Sequence, residues 1–174
     1  MTAAQPAAEP MAYRTILADP PWNVQQVGTR PPSYRLLPVE RIAALPVSQL
    51  AAESAHLWLW VTNGVLFLGQ QVMEAWGFSY RGCLTWVKPR FGMGPYLRNQ
   101  TEHLLFGVRG SAPMRFHGQG SWLFAPLQDH SHKPEEQYAV IERCSPGPYL
   151  ELFARRTRPG WHVWGDQVVS DVDL

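Results

Sequence analysis

Short apolar runs that stop at turn residues alternate along the chain with stretches in which apolar positions recur every three to four residues. The first run, Thr15-Ile16-Leu17-Ala18, halts at Asp19-Pro20-Pro21-Trp22. Proline has no amide hydrogen and a fixed φ, so a buried strand must end there, with Asp19 at its carboxyl end. Residues 39–52 carry apolar Val39, Ile42, Ala43, Leu50 and Ala51 around Pro46 and predict one or two short helical turns. Residues 56–62 (HLWLWVT) are apolar nearly throughout and predict a strand, which Asn63 and Gly64 break. A helical spacing then runs over 65–76 through Leu68, Val72 and Ala75 until Gly77 closes it. Residues 80–87 and 102–108 predict two more strands joined by a loop at 89–99. Residues 111–132 hold Gly118, Gly120 and Pro126 and read as an irregular loop. A helix over 134–144 enters through Pro134-Glu135-Glu136, which suits a first turn. Residues 149–153 and Trp161–Trp164 are the last two strands.

Strands alternating with helices predict an α/β fold with a mostly parallel sheet and one antiparallel hairpin strand near its middle. The Ala/Pro-rich residues 1–12 have no basic region followed by an apolar core and are expected to be a disordered tail. Residues 13–174 are expected to form one domain. No stretch approaches the roughly eighteen apolar residues of a membrane helix. Cys83 and Cys144 are far apart and match no C-x-x-C spacing, which suggests neither a disulfide framework nor a cysteine zinc site and points to a reducing cytoplasm.

Composition changes this picture in two ways. The net charge of +1, with 17% charged and 45% hydrophobic residues, excludes a disordered chain and a uniformly basic coat. Yet 13 of the 15 cationic residues are Arg, Lys88 and Lys133 being the two lysines, and eight residues are Trp. Planar side chains of both kinds suit flat or anionic partners. Between residues 81 and 115 six cations face the single acid Glu102, a local +5, with Phe91 and Tyr96 interleaved. Within that stretch Arg90 and Arg98 are the candidates for phosphate contact, a solvated loop or a subunit interface being the alternatives.

Asp-Pro-Pro-Trp at a strand end is the most specific local feature. A carboxylate acceptor, two prolines that expose carbonyls on a rigid turn, and an indole platform are what a planar amine requires. The exocyclic amine of a nucleobase can donate to Asp19 and to the Pro20 carbonyl while an aromatic ring covers its face. His130 and His132 lack a third ligand at suitable spacing, so no metal is expected. Glu102 and His103 are strand neighbours that face opposite ways and are not expected to act as an acid/base pair; one is expected to pack, and Glu102 to brace Lys133.

Ile16 to Trp22 resembles the catalytic motif of the amino-group methyltransferases that use S-adenosylmethionine (SAM). More narrowly it resembles the family of the catalytic subunit of the eukaryotic messenger-RNA adenosine-N6 methyltransferase, with its bacterial and phage members. The likeness continues through Leu57-Trp58-Leu59-Trp60-Val61-Thr62, Trp86-Val87-Lys88, Glu102 to Gly110, Ser131-His132-Lys133-Pro134, Ile141-Glu142-Arg143 and Glu151 to Arg155, ending at Gly165-Asp166-Gln167.

The resemblance implies a circularly permuted, Rossmann-like class I SAM-dependent methyltransferase fold, in which residues 149–153 would be the cofactor strand beside the catalytic one. Asp19, Pro20, Pro21 and Trp22 would then be catalytic, with Trp22 and Tyr34 sandwiching the acceptor base. Asp19, Lys133, Glu151, Arg155, Asp166 and Gln167 would line the cofactor site, Lys133 toward the methionine part and Arg155 and Gln167 toward the ribose. The product would be S-adenosylhomocysteine. The implied reaction is methyl transfer to the N6 amine of adenine. A bare catalytic domain like the bacterial and phage members, rich in Arg over Lys, points to DNA as acceptor. RNA or a free adenosine nucleotide is the first alternative, and a non-catalytic nucleic-acid-binding partner of another methyltransferase is the second. A monomer or homodimer is expected.

Overall fold

The computed structural model describes residues 12–23, 35–92, 96–128 and 132–174. The chain forms β1 (Tyr13–Ala18), α1 (Val39–Ala43), α2 (Val47–Leu50), β2 (Ala51–Thr62), a 3-10 turn over Asn63–Val65 and α3 (Leu66–Ala75). It continues through β3 (Ser79–Val87), β4 (Thr101–Arg109), β5 (Trp122–Phe124), α4 (Glu136–Cys144), β6 (Tyr149–Leu152) and β7 (Trp161–Trp164).

The seven strands make one sheet in the order β5-β3-β4-β2-β1-β6-β7. β4 is antiparallel to both its neighbours, and every other pairing is parallel. The predicted α/β sheet with one antiparallel hairpin strand is therefore the observed one. β1 lies between β2, which follows it in the chain, and β6, which returns from the far end. Such a reversal opens a crevice beyond the carboxyl ends of the two parallel strands it separates, here at Asp19 and Phe153.

Alternation along the strands loads both faces. One face buries Ile16, Leu57, Leu59, Val61 and Leu105 with Ile42 of α1, Val47 of α2 and Val72 and Met73 of α3. The other buries Leu17, Trp58, Trp60, Leu84, Trp86 and Leu104 with Tyr138 and Ile141 of α4. Six indole N–H groups find acceptors, as buried Trp requires. Trp58 donates to Ser145 Oγ, Trp60 to Gln137 Oε1, Trp76 to the Ile42 carbonyl and Trp86 to that of Ala125. Trp161 donates to Glu142 and Trp22 to the Trp60 carbonyl.

Two elements depart from the sequence pattern. Residues 51 and 52 are strand and not the end of a helix, and β2 begins five residues earlier than predicted. Ala51 pairs with Tyr13 and Ala55 with Arg109, so strand partners on both sides override a helical spacing. Within the predicted loop 111–132, Trp122–Phe124 adds to the sheet edge beside β3. Three residues are too few to display a period. Among the described residues no helix is long and apolar enough to cross a membrane.

Gly110 ends β4 at φ +61, and a Cβ built there would lie 2.4 Å from the Glu53 carbonyl oxygen. Gly120 has open space around it. Gly110→Ala should destabilise the protein by at least about 1–3 kcal/mol, and Gly120→Ala by less than about 0.5 kcal/mol. Urea unfolding of both variants checks this; equal midpoints would show that the close approach of β2 and the β4 end is not needed.

Candidate active site

The parallel order brings the ends of β1 and β6 together, and the loop into α4 lies across them. Asp19 N–H donates to the Leu152 carbonyl at 3.4 Å. Lys133, 114 residues from Asp19, donates to its Oδ2 at 3.0 Å. The same ammonium lies 3.4 Å from Glu102 Oε2, and Glu102 Oε1 accepts from Lys88. The result is an alternating line, Lys88, Glu102, Lys133, Asp19, whose charges sum to zero. Glu102 braces Lys133, as expected. His103, pointing the other way, bonds Thr85 and Asn63.

Burial is the strongest single influence on Lys133 and acts to lower its pKa, but Asp19 and Glu102 together reverse this and raise it. The ammonium therefore stays charged. Burial also acts to raise Glu102, and its two lysines outweigh that, leaving it below the usual carboxylate range. Asp19 shares Lys133 with Glu102. Burial pushes the Asp19 pKa above the ordinary value despite the lysine, the charge of Glu102 adding to the rise while Arg155 works against it.

A cavity of about 250 Å³ opens here, lined among others by Asp19, Lys133, Glu151, Arg155 and Gln167. Glu151, on β6, accepts from Tyr138 Oη at 2.9 Å. Burial pushes its pKa up to about 7; the Tyr138 hydrogen bond works against the rise and the nearby Asp19 adds to it. Arg155 Nε meets Gln167 Oε1 at 3.4 Å. Asp166 lies in the same turn but is exposed and is not among the lining residues. The turn after β6 carries Phe153 at φ 62. A left-handed non-glycine residue stores strain of order 1–3 kcal/mol and is typical of ligand-binding turns. Next to it, a Cβ on Gly165 would lie 2.3 Å from the Ala154 carbonyl, so the β6 and β7 ends approach as closely as backbone allows.

The Asp-Pro-Pro-Trp turn is more heavily engaged than its sequence suggests. The prolines do not leave their carbonyls free: that of Pro20 accepts from Trp22 N–H at 2.9 Å and that of Pro21 from Leu37 N–H at 2.8 Å. A carbonyl has two lone pairs, so Pro20 keeps one for a donor. The Trp22 indole is fastened to the Trp60 carbonyl and packs against the core, which sets the angle at which the turn leaves β1. Tyr34 lies outside the described residues, as does His130.

Cavity residues with no site role assigned from sequence include Leu17, Trp60, Gln137, Tyr138, Phe153 and Arg156, and His132, weighed above as a metal ligand, lines it too. Lys133 sits 5.6 Å above the Trp60 ring. At the rim, Glu135 pairs with His132, Arg156 and Arg158. The helical position of Glu135 and Gln137 was legible, but which strand ends they face was not.

The basic stretch 81–115 is not one patch. Lys88, Arg90 and Arg98 lie at the loop between β3 and β4, on the same edge as Asp19. There Arg90, Phe91, Tyr96, Leu97 and Arg98 are all exposed, Tyr96 at 96%. Arg81, Arg109 and Arg115 lie at the opposite edge, because antiparallel strands return the chain across the sheet. Arg109 there donates to the Ser48 carbonyl.

A family model described as MT-A70 matches residues 13–167. Among curated proteins, the human N(6)-adenosine-methyltransferase catalytic subunit METTL3 is 33% identical, the match covering 90% of this chain and 28% of that protein. The N(6)-adenosine-methyltransferase MT-A70-like of Arabidopsis thaliana is 30% identical over 90% of this chain and 24% of its own length. The human N(6)-adenine-specific methyltransferase METTL4 is 29% identical over 91% and 38%. The chain thus spans between about a quarter and two-fifths of the length of these relatives.

The raised pKa of Glu151 has a consequence for stability. A carboxyl whose pKa is higher in the folded than in the unfolded state favours folding when protonated, and that advantage is lost as pH rises from about 4.5 through about 7. Glu151→Gln keeps the Tyr138 acceptor and removes the charge. Relative to the parent, it should gain stability between pH 5 and pH 8, by at most roughly 3 kcal/mol. Thermal unfolding of both proteins at the two pH values tests this; a gap that does not widen with pH would count against a buried, proton-binding Glu151.

Proposed function

The chain belongs to the MT-A70 family, and on that premise we propose that it transfers a methyl group from SAM to the N6 amine of an adenine held unpaired in nucleic acid. The observation that carries this reading is the Lys133–Asp19 contact at 3.0 Å. It joins the Asp-Pro-Pro-Trp turn to the cofactor residues implied by the resemblance, in a cavity that Glu151, Arg155 and Gln167 also line.

The donor set fits the cofactor. An ammonium carries three N–H groups; two face Asp19 and Glu102, and the third can meet the methionine carboxylate. Arg155 and Gln167 offer a donor and an amide to ribose hydroxyls, while Asp19 supplies negative charge toward a sulfonium and Glu151 offers acceptor oxygens on the cavity wall. Bound there, SAM would provide an electrophilic methyl group.

The chain's own residues have to make a poor nucleophile attack. The lone pair of adenine's amine is delocalised into the ring. Hydrogen bonds from that amine to Asp19 and to the second lone pair of Pro20 favour a pyramidal nitrogen and align it for in-line displacement. Ionised, Asp19 accepts through both oxygens and donates nothing, and Lys133, with a smaller contribution from Arg155, opposes its protonation. The amine turns acidic only as the new bond forms, so Asp19 acts by orientation and electrostatics. A paired adenine hides this amine, and the acceptor must be single-stranded or flipped. Arg90, Arg98, Phe91 and Tyr96, exposed on the same edge, suit a strand's phosphates and bases. Trp22 is placed to support the turn, and a stacking role for it or for Tyr34 is part of the proposal.

RNA is placed ahead of the DNA expected from sequence, because METTL3 and the plant relative are named for adenosine, the ribonucleoside. DNA is the second reading, favoured by the relative named adenine-specific. An intact Asp-Pro-Pro-Trp turn with its lysine in place speaks against a non-catalytic partner.

Radiolabelled SAM offered with single-stranded RNA, single-stranded DNA, duplex DNA and adenosine monophosphate in parallel tests the reading. Label should enter single-stranded RNA most, and Asp19→Ala should reduce incorporation by about 10²–10³-fold, the worth of one preorganised polar contact. Incorporation that survives the substitution would overturn the role of Asp19. Labelling of the mononucleotide alone would remove nucleic acid as the acceptor, and a folded protein that does not bind SAM would be the non-catalytic partner.

A further inference from the structure

A second cavity, larger than the one beside Asp19, lies at the opposite edge of the sheet. It encloses about 460 Å³ between the start of β1, β2, the loop after β4 and the loop before β6, and its polar lining comes from Arg14, Ser54, Ser111 and Arg115. Arg14 and Asp19 are five residues apart along an extended strand, about 16 Å, so no small molecule spans the two sites.

Its charge is one-sided. Neither Arg14 nor Arg115 has a carboxylate partner among the described residues. Glu53, next to Ser54 on β2, is not among the residues that line the cavity. Glu142 is engaged by Trp161 Nε1 and lies 3.7 Å from Arg158 Nε.

The walls are pinned. Ser111 N–H donates to Ser54 Oγ at 3.2 Å, which leaves the Ser54 hydroxyl hydrogen free to donate. His56, wholly buried, bonds the Ala112 carbonyl through Nε2 at 2.9 Å and Ser145 Oγ through Nδ1 at 2.8 Å. Because a carbonyl only accepts, the proton sits on Nε2, and Ser145 donates to Nδ1. Arg115 N–H donates to the Cys144 carbonyl at 2.8 Å, and Tyr149 Oη donates to the Ser145 carbonyl at 2.9 Å.

We propose that this cavity is a phosphate-binding site, in which Arg14 and Arg115 neutralise the anion and the hydroxyls of Ser54 and Ser111 complete its hydrogen bonds. The phosphate is either that of a nucleic-acid strand or that of a small phosphate compound. The site is independent of the reaction assigned to Asp19.

Inorganic phosphate titrated into the full chain and followed by ¹H–¹⁵N NMR should shift the Ser111 and Arg115 amides saturably. The same shifts should occur in Asp19→Ala and vanish in Arg14→Gln/Arg115→Gln. Both arginines are exposed, so that variant should fold, and Arg14→Lys/Arg115→Lys should restore binding. A fluorescent single-stranded oligoribonucleotide then separates the sources. If a strand supplies the phosphate, the double Gln variant binds it several-fold more weakly, and the slope of log affinity against log salt becomes shallower by about 0.7 for each phosphate no longer neutralised. If the slope is unchanged while inorganic phosphate still binds the parent, the ligand is a small phosphate compound. Absence of saturable shifts, or shifts that persist in the double Gln variant, would overturn the proposal.

Discussion

A lysine ammonium placed out of water between two carboxylates is the constraint on which the site depends. Taking Lys133 from solvent costs several kcal/mol unless partners of opposite charge meet it at close range. Asp19 and Glu102 do so, and Glu102 in turn needs Lys88. The four groups come from the end of β1, the end of β3, the start of β4 and the loop before α4. None of these segments can shift without stranding a charge, so the low-dielectric cleft holds them as a unit.

The parallel order of the sheet decides what that unit faces. With β6 beside β1, the strained turn at Phe153 and the tight passage at Gly165 stand next to Asp19. Glu151 and Tyr138 form the inner wall, where burial pushes the Glu151 carboxyl up to about 7 close to Asp19. The indole of Trp22, tied to β2, keeps the Asp-Pro-Pro-Trp turn from swinging into the cavity. Tryptophan here is chiefly structural: its N–H groups fasten helices and loops to both faces of the sheet, and Trp60 does so while lining the site.

Antiparallel β4 has the opposite effect on charge. It carries the chain back across the sheet, so cations that are neighbours in sequence end at two edges. Lys88, Arg90 and Arg98 stay with the edge that carries Asp19, whereas Arg81, Arg109 and Arg115 join Arg14 at the other. A run of net +5 is therefore divided between two edges, one beside exposed aromatics and the other carrying the cavity that Arg115 helps to line.

Much of this was legible in the chain itself. Prolines after Asp19 end a strand whatever surrounds them, and near-continuous apolar runs between helical spacings require a buried, mostly parallel sheet. A motif of adjacent residues such as Asp19 to Trp22 is local, as is the pairing of Lys133 with its own short block, and both could be read directly. Strand β5 and the early start of β2 could not be read, because three residues show no period and Ala51 to Ala55 become strand only through partners on either side. The engagement of the proline carbonyls, the exposure of Asp166, the turn at Phe153 and the division of the arginines were likewise decided by tertiary structure. Each depends on which distant segments meet, and sequence pattern records the periodicity of an element but not the neighbour that packing and electrostatics select for it.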